Sequence, residues 1–269
     1  MTAALRASCL VVALALGIGL PPAPARAQTV AASSGPGWTF DFTPYIWGVA
    51  MSGEVQGGAL PAINIDMSFS DILKNLDAGL LGAFEARKGP WGMLFDAIYM
   101  KLEGSGTASR TGPGPIGSTA TASAELKVAQ TMLAAAVAYR AVDDRAALDV
   151  LGGLRYARIE ADAAINGSFF GQAGTVARSA EKNWVDPYIG VRVLQPIAGH
   201  WTLMGYADIG GFGVGSDFTW QALVGINYDL SKTFAAKFGY RYLDVDYDKN
   251  GFVYDMANSG LYLGLGIRF

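Results

Sequence analysis

Along most of this chain the apolar residues fall at every second position. In residues 261–269 (LYLGLGIRF), Leu261, Leu263, Leu265, Ile267 and Phe269 share one parity. Tyr262, Gly264, Gly266 and Arg268 share the other. That period belongs to a strand, because successive side chains of an extended chain point to opposite faces. Residues 184–194 repeat it, with Val185, Pro187, Ile189, Val191 and Val193 against Asp186, Tyr188, Gly190 and Arg192. In residues 38–51, Trp38, Phe40, Phe42 and Ile46 oppose Asp41, Thr43, Tyr45 and Trp47. The same reading covers residues 76–87, 91–103, 119–140, 146–160, 201–210, 218–230 and 234–242. Pro44 has no N–H to give a ladder, so the first strand needs a bulge or an unpaired rung there.

Residues 52–75 are less regular. Ile63, Ile65, Met67 and Phe69 alternate, and SDILKN at 70–75 reads as a capped helical turn. The stretch is expected to be one long structured loop carrying a strand extension. A further pair of spanning strands there would make twelve in all, and eight is the smaller alternative to ten. The connections alternate in length. Those after 87, 140, 194 and 230 are short; those after 51, 103, 160 and 242 are long, and the one after 210 is intermediate. Short turns at one end and long loops at the other predict an all-β fold, a closed antiparallel transmembrane β-barrel of ten strands with both termini at the short-turn, periplasmic end.

Composition agrees. Of 269 residues, 51% are hydrophobic and 16% charged, which is too apolar for disorder. The 35 glycines and 12% aromatics come without the apolar run of about 20 residues that a spanning helix needs. A net charge of −3 gives no reason to expect nucleic acid. Residues 1–27 read as a cleaved signal peptide: Arg6, an apolar run at 10–20, then Ala25-Arg26-Ala27 before Gln28. Residues 28–37 are a flexible lead and 38–269 the barrel. The one cysteine, Cys9, lies in the signal segment, which removes disulfide, thiolate and cysteine chemistry from the mature chain.

A closing strand that ends on Phe269 resembles the last strand of bacterial outer-membrane β-barrels. The phrases TPYIWG (43–48) and FSDILKNLDAGLLGAFEARKGPWGMLFD (69–96) are similar to a family of small, largely uncharacterised proteobacterial outer-membrane barrels. The resemblance implies the outer membrane of a Gram-negative cell, with lipid and lipopolysaccharide as surroundings. It also implies that the barrel-assembly machinery reads Phe269 as its signal. It brings no catalytic residues.

Strand parity places Glu85, Asp96, Asp149, Arg155, Asp186, Arg192, Asp208, Lys237, Arg241 and Arg268 inside. Acids and bases nearly balance there. The set is either an internal salt-bridge network or a charged constriction that selects solutes. Interior glycines (Gly79, Gly190, Gly225, Gly239, Gly264, Gly266) are expected to leave room for a pore. The leading expectation is a narrow porin-like channel for small polar solutes. The alternative is a closed structural or surface-interaction barrel that works through its outer loops. No enzyme is expected, since the single histidine, His200, sits at a short turn beside Trp201. No cofactor is expected either. Asp246, Asp248 and Asn250 match the opening of a calcium loop, D-x-[DN]-x-[DN]-G, but position twelve is Ala257, so the leading expectation is an acidic hairpin tip with a tight Asn-Gly turn, and the alternative is weak binding of a divalent cation such as calcium near lipopolysaccharide. Trp38, Trp91, Trp184, Trp201 and Tyr228 are expected in a periplasmic aromatic girdle, and Tyr99, Tyr240 and Tyr242 in an outer one.

Overall fold

The structure, a computed structural model, describes residues 37–57, 63–111, 119–169 and 172–269. The expected signal peptide and nearly all of the lead lie outside these residues. In chain order the elements are β1 (Thr39–Gly57), β2 (Ile63–Met67), α1 (Phe69–Asn75), β3 (Leu76–Lys88), β4 (Trp91–Thr111), β5 (Thr119–Asp143), β6 (Ala147–Phe169), β7 (Gln172–Ala198), β8 (Trp201–Gly210), β9 (Phe218–Asp229), β10 (Phe234–Lys249) and β11 (Phe252–Arg268). From β3 to β11 each strand pairs antiparallel with the next, and β1 joins β3 to β11. The result is a closed ten-stranded barrel, with β2 as a short extra strand on β1. Closure pairs the sheet's edges, as a sheet in lipid requires, except over residues 45–50 of β1, where α1 rather than a strand lies alongside.

Alternation fixes the faces. On β11, Leu261, Leu263 and Leu265 are exposed while Tyr262 is buried. Ile46, Leu80, Leu133, Leu154, Ile189, Val224 and Phe238 continue the apolar exterior around the barrel. A soluble sandwich would turn these side chains inward. The exterior becomes charged toward the long-hairpin end, where Lys101 pairs with Asp77 and Glu103, Lys127 with Glu103, and Arg158 with Glu160 and Glu181. At the short-turn end the belt stops at exposed Trp38, Trp91 and Trp201. No helix among the described residues is long and apolar enough to cross a membrane.

Several expected loops are ladders instead. β4 runs on to Thr111, β6 to Phe169, and β10 and β11 meet at a two-residue turn. Asn250 (φ 57°) and Gly251 (φ 73°) make that turn, the left-handed pair that a tight hairpin requires. The long connections are therefore mostly strand. Their Ala, Gly, Ser and Thr residues pair through the backbone yet carry no hydrophobic contrast, so alternation cannot reveal them.

Residues 63–75 fold as the expected strand extension followed by a helical turn. The cap is Ser68 rather than Ser70. Its Oγ accepts from the Asp71 N–H at 3.3 Å, and the Asp71 carboxylate accepts from the Ser68 N–H at 3.2 Å.

Candidate functional site: the charged lumen

A barrel just above eight strands has an interior that side chains can fill. Here they do, in three layers. Nearest the short turns, Asp149 is fully buried and accepts from three guanidiniums: Arg87 Nη2 at 2.9 Å, Arg192 Nη2 at 2.7 Å and Arg140 Nε at 2.5 Å. Glu85 takes the rest of Arg192, at 2.7 and 2.8 Å, and Arg87 Nε at 3.0 Å. Beside this cluster Lys237 donates to Asp41 and Thr43, both at 2.7 Å. Arg268 reaches Asp229 at 2.7 Å.

The middle layer holds two pairs. Both oxygens of Asp208 accept from Arg155 Nη2, at 2.9 and 2.8 Å, and the Tyr206 hydroxyl donates to the same carboxylate at 2.7 Å. Arg241 donates to Asp96 at 2.6 Å, to the Tyr45 hydroxyl at 2.9 Å and to Gln221 Oε1 at 2.9 Å. Its guanidinium also stacks 5.0 Å from the Trp47 ring, a cation–π contact. Beyond it, toward the long hairpins, the filling is apolar: Trp47, Val49, Ile98, Met132, Trp184, Leu243, Val245 and Met256 pack as one cluster. Asp186 borders that layer and accepts from Trp184 Nε1 at 3.0 Å and from the Ser216 N–H at 2.5 Å.

All ten charges expected inside lie in these layers, and each has a partner. Sequence reading left out Arg87, Arg140, Asp41, Tyr45, Tyr206 and Gln221. Parity held a signal for Arg87, two residues from Glu85. For Arg140 it did not, because Ala134, Ala136 and Ala138 share its face and give no contrast with their neighbours.

Five of the interior glycines, Gly190, Gly225, Gly239, Gly264 and Gly266, mark close approaches rather than open space. Gly225 and Gly239 face each other across β9 and β10. A Cβ on either would stand 2.6 or 2.5 Å from a backbone carbonyl of the other strand. At Gly264 the space belongs to Thr43 and Tyr45, and at Gly266 to Lys237. These glycines are where neighbours approach. A cavity of about 260 Å³ lies between the first two layers, lined by Tyr45, Tyr206, Tyr262, Leu94 and Leu223 together with charged residues of both layers.

Trp184 corrects the girdle expectation. It is 6% exposed, inside the barrel, with its ring 4.5 Å from Tyr247 and 5.8 Å from Tyr254. β7 begins twelve residues earlier than the alternation suggested, so Trp184 is neither at a strand end nor on the lipid face. Trp201 and Tyr228 do pair at the short-turn end, at 4.5 Å, and His200 adds its edge to Tyr228. Asp246 and Asp248 lie along β10, and Asn250 occupies its turn, so the calcium-motif residues are parts of a hairpin. Among the described residues no group of three or more His, Cys, Asp or Glu is placed to hold a metal ion.

No family model matches the chain, and no curated protein matches it. Solved structures do. The outer membrane protease OmpT from Escherichia coli aligns over 87% of this chain and 97% of its own, with a TM-score of 0.54 and 13% identity. The translocator domain of the autotransporter NalP from Neisseria meningitidis covers 88% and 90%, at 0.39 and 13%. Ail, the attachment invasion locus protein of Yersinia pestis, covers 87% and 99%, at 0.31 and 13%. At these identities the likeness is one of fold, and only the first is close enough to carry it. Ten closed strands, an apolar exterior belt and a polar interior make this chain a small β-barrel protein of the cell outer membrane.

Proposed function

We infer that the protein is a closed, non-enzymatic barrel that acts through the hairpins it projects beyond the membrane. The observation that carries this reading is the filled lumen: guanidiniums and carboxylates are paired across the bore, and an apolar cluster lies beyond them. Ions crossing such a bore would have to break charge-assisted bonds and displace packed aromatics. Strand length supports a role outside the membrane. A tilted spanning strand needs about 9–11 residues, whereas β4, β5, β6 and β7 have 21, 25, 23 and 27. The surplus forms a wall above the apolar belt, with paired charges at its base where lipid headgroups and lipopolysaccharide would lie. His200, at the opposite end, supports no rim catalysis.

The narrow porin-like channel is the second reading, favoured by the cavity of about 260 Å³ between the charged layers. Single-channel recording of the refolded barrel in a planar bilayer separates the two. Silence across voltage, with folding shown by heat-modifiable migration, is the expected result. Stable open steps, altered by Arg192→Ala or Arg241→Ala, would replace the closed-barrel reading with a channel.

A further inference from the structure

Above the apolar belt the wall of the barrel is interrupted. The β3 ladder on β4 ends at Leu102, and the β8–β9 hairpin turns low, between Gly210 and Phe218. β4, β5, β6 and β7 rise past both as one four-stranded sheet. Glu103, Lys127, Asp162 and Ser179 share a rung of it, and Ser109, Thr121, Ser168 and Ala173 a higher one. Among the described residues, no strand pairs with the far edge of β4 over 103–111 or with the far edge of β7 over 172–187.

Two hydrogen bonds show which backbone groups these edges present. The Arg140 N–H donates to Pro90 O at 2.8 Å, so even-numbered residues of β4 face β5 and odd-numbered ones face the open side. The Gly211 N–H donates to Pro187 O at 3.0 Å, so odd-numbered residues of β7 face away from β6. Neither ladder shifts register on the way up. The loop at 211–217 covers the β7 edge only at its base, where Gly215 lies against the Val185 carbonyl. Above that, the edge is bare. Ala177 shows the consequence: its carbonyl accepts from the neighbouring Arg178 guanidinium, at 3.0 Å, instead of from a strand.

A bare edge of this length is a template for another strand. Proline is one of the usual guards, and residues 103–111 and 172–186 contain none. Runs of small residues, GSGTAS at 104–109 and QAGTVA at 172–177, leave the backbone approachable. The membrane selects the occupant. Every copy stands the same way up, with β4 running outward and β7 running back. The β4 edge of one copy therefore meets the β7 edge of its neighbour in the antiparallel sense, whereas two β7 edges would run parallel. The heights agree as well, since the outward apolar residues stop at Tyr99 on β4 and at Val185 on β7. A barrel upright in a bilayer has already lost most of its orientational freedom, which lowers the cost of pairing.

We propose that the partner is a second copy of this chain, and that copies join edge to edge outside the membrane, residues 103–111 of one against residues 172–184 of the next. The inference rests on the reading that the projecting hairpins do the work. The contact is head-to-tail, so each added copy leaves one β4 edge and one β7 edge open. Copies therefore continue into rows or close into rings. Main-chain hydrogen bonds hold them, and the four-stranded sheets fuse into one band above the lipid.

The test expresses Ser105→Cys, Ala177→Cys and the double variant, all in a Cys9→Ser background, in the outer membrane of a Gram-negative host. A short bismaleimide then links thiols on whole cells, and heat-modifiable migration checks folding. The expected result is a ladder of dimers, trimers and larger species from the double variant. The two single variants should give dimers when co-expressed and monomers when expressed alone. Adding Thr175→Pro and Ser179→Pro removes two N–H groups from the open edge and none from the β6 ladder, so it should abolish the ladder of oligomers in a folded barrel. Oligomers that survive those prolines would overturn main-chain pairing. Dimers from Ala177→Cys alone would overturn the head-to-tail contact. Links confined within single chains, or no links in a folded barrel, would overturn self-association in favour of edges that meet in one copy or that take another protein's strand. Conductance of the same variants is read separately: open steps would sink the closed-barrel reading and leave the oligomer result standing.

Discussion

Arg192 and Glu85 meet across the bore, one from β7 and one from β3, through two parallel hydrogen bonds of 2.7 and 2.8 Å. The same guanidinium also serves Asp149, which gathers Arg87 and Arg140 as well. Among the described residues, Asp149 is thus the one carboxylate shared by three guanidiniums. Removing one partner of a buried ionic cluster strands the others, at a cost on the order of 3–5 kcal/mol. Asp149→Asn should therefore destabilise the barrel by that amount in urea unfolding from liposomes. Replacing Glu85 and Arg192 together by Leu and Met leaves Asp149 with Arg87 and Arg140, so it should cost less than Asp149→Asn. A neutral Asp149→Asn would show that water, rather than Asp149, solvates these guanidiniums.

The glycine pair on β9 and β10 makes a steric prediction. Gly225→Ala or Gly239→Ala sets a methyl against a backbone carbonyl, and overpacking of this kind costs about 1–3 kcal/mol. Gly205→Ala should be neutral, since a Cβ there meets nothing within 4 Å. Unfolding midpoints of the three variants decide the matter, and equal midpoints would contradict the close approach.

The two tryptophan environments differ in a way that lipids can report. Brominated acyl chains should quench Trp38, Trp91 and Trp201, which are exposed, and leave Trp184 bright inside the barrel. Single-tryptophan variants measure this directly. Trp184→Phe should also lower stability, whereas Trp91→Phe should leave it within about 0.5 kcal/mol.

At the outer hairpin the Asp246 carboxyl is held above the usual carboxylate range, first by burial and then by the charges of Asp255, Asp217 and Asp248. A raised folded value means that ionisation opposes folding. Its contribution to stability is present below about pH 4, the ordinary carboxylate value. It is lost as pH rises through the raised value. Asp246→Asn should therefore slow amide exchange in residues 244–258 at pH 7, and the difference from the parent should vanish near pH 4. Equal exchange at pH 7 would show that the repulsion is screened.

Much of the barrel was legible because its two faces differ in polarity. Leu261, Leu263 and Leu265 against Tyr262, or Ile189 and Val191 against Arg192, fix orientation without further information. The strand count followed from the same contrast. Where contrast fades the reading fails: the Ala- and Gly-rich upper parts of β4, β6 and β7 looked like loops, and Trp184 looked like a strand end. The inward charges could be placed by parity, but their partners could not. Arg155 finds Asp208, and Arg241 finds Asp96, only through the order of strands around the barrel. The missing ladder beyond Pro44 was half visible. Proline announced an interrupted rung, but nothing announced that a helix would fill the breach.

The sequence distance within the ionic layers sets the order of assembly. Lys237 and Asp41 are 196 residues apart, and Arg241 and Asp96 are 145 apart. Neither pair can form until the last strands are in place, and contacts of such long range are slow to establish. A half-built barrel would hold bare guanidiniums and carboxylates toward a low-dielectric interior, so partly inserted intermediates are penalised and the final closure between β1 and β11 is favoured. The charges that plug the finished bore thus make its construction all-or-none.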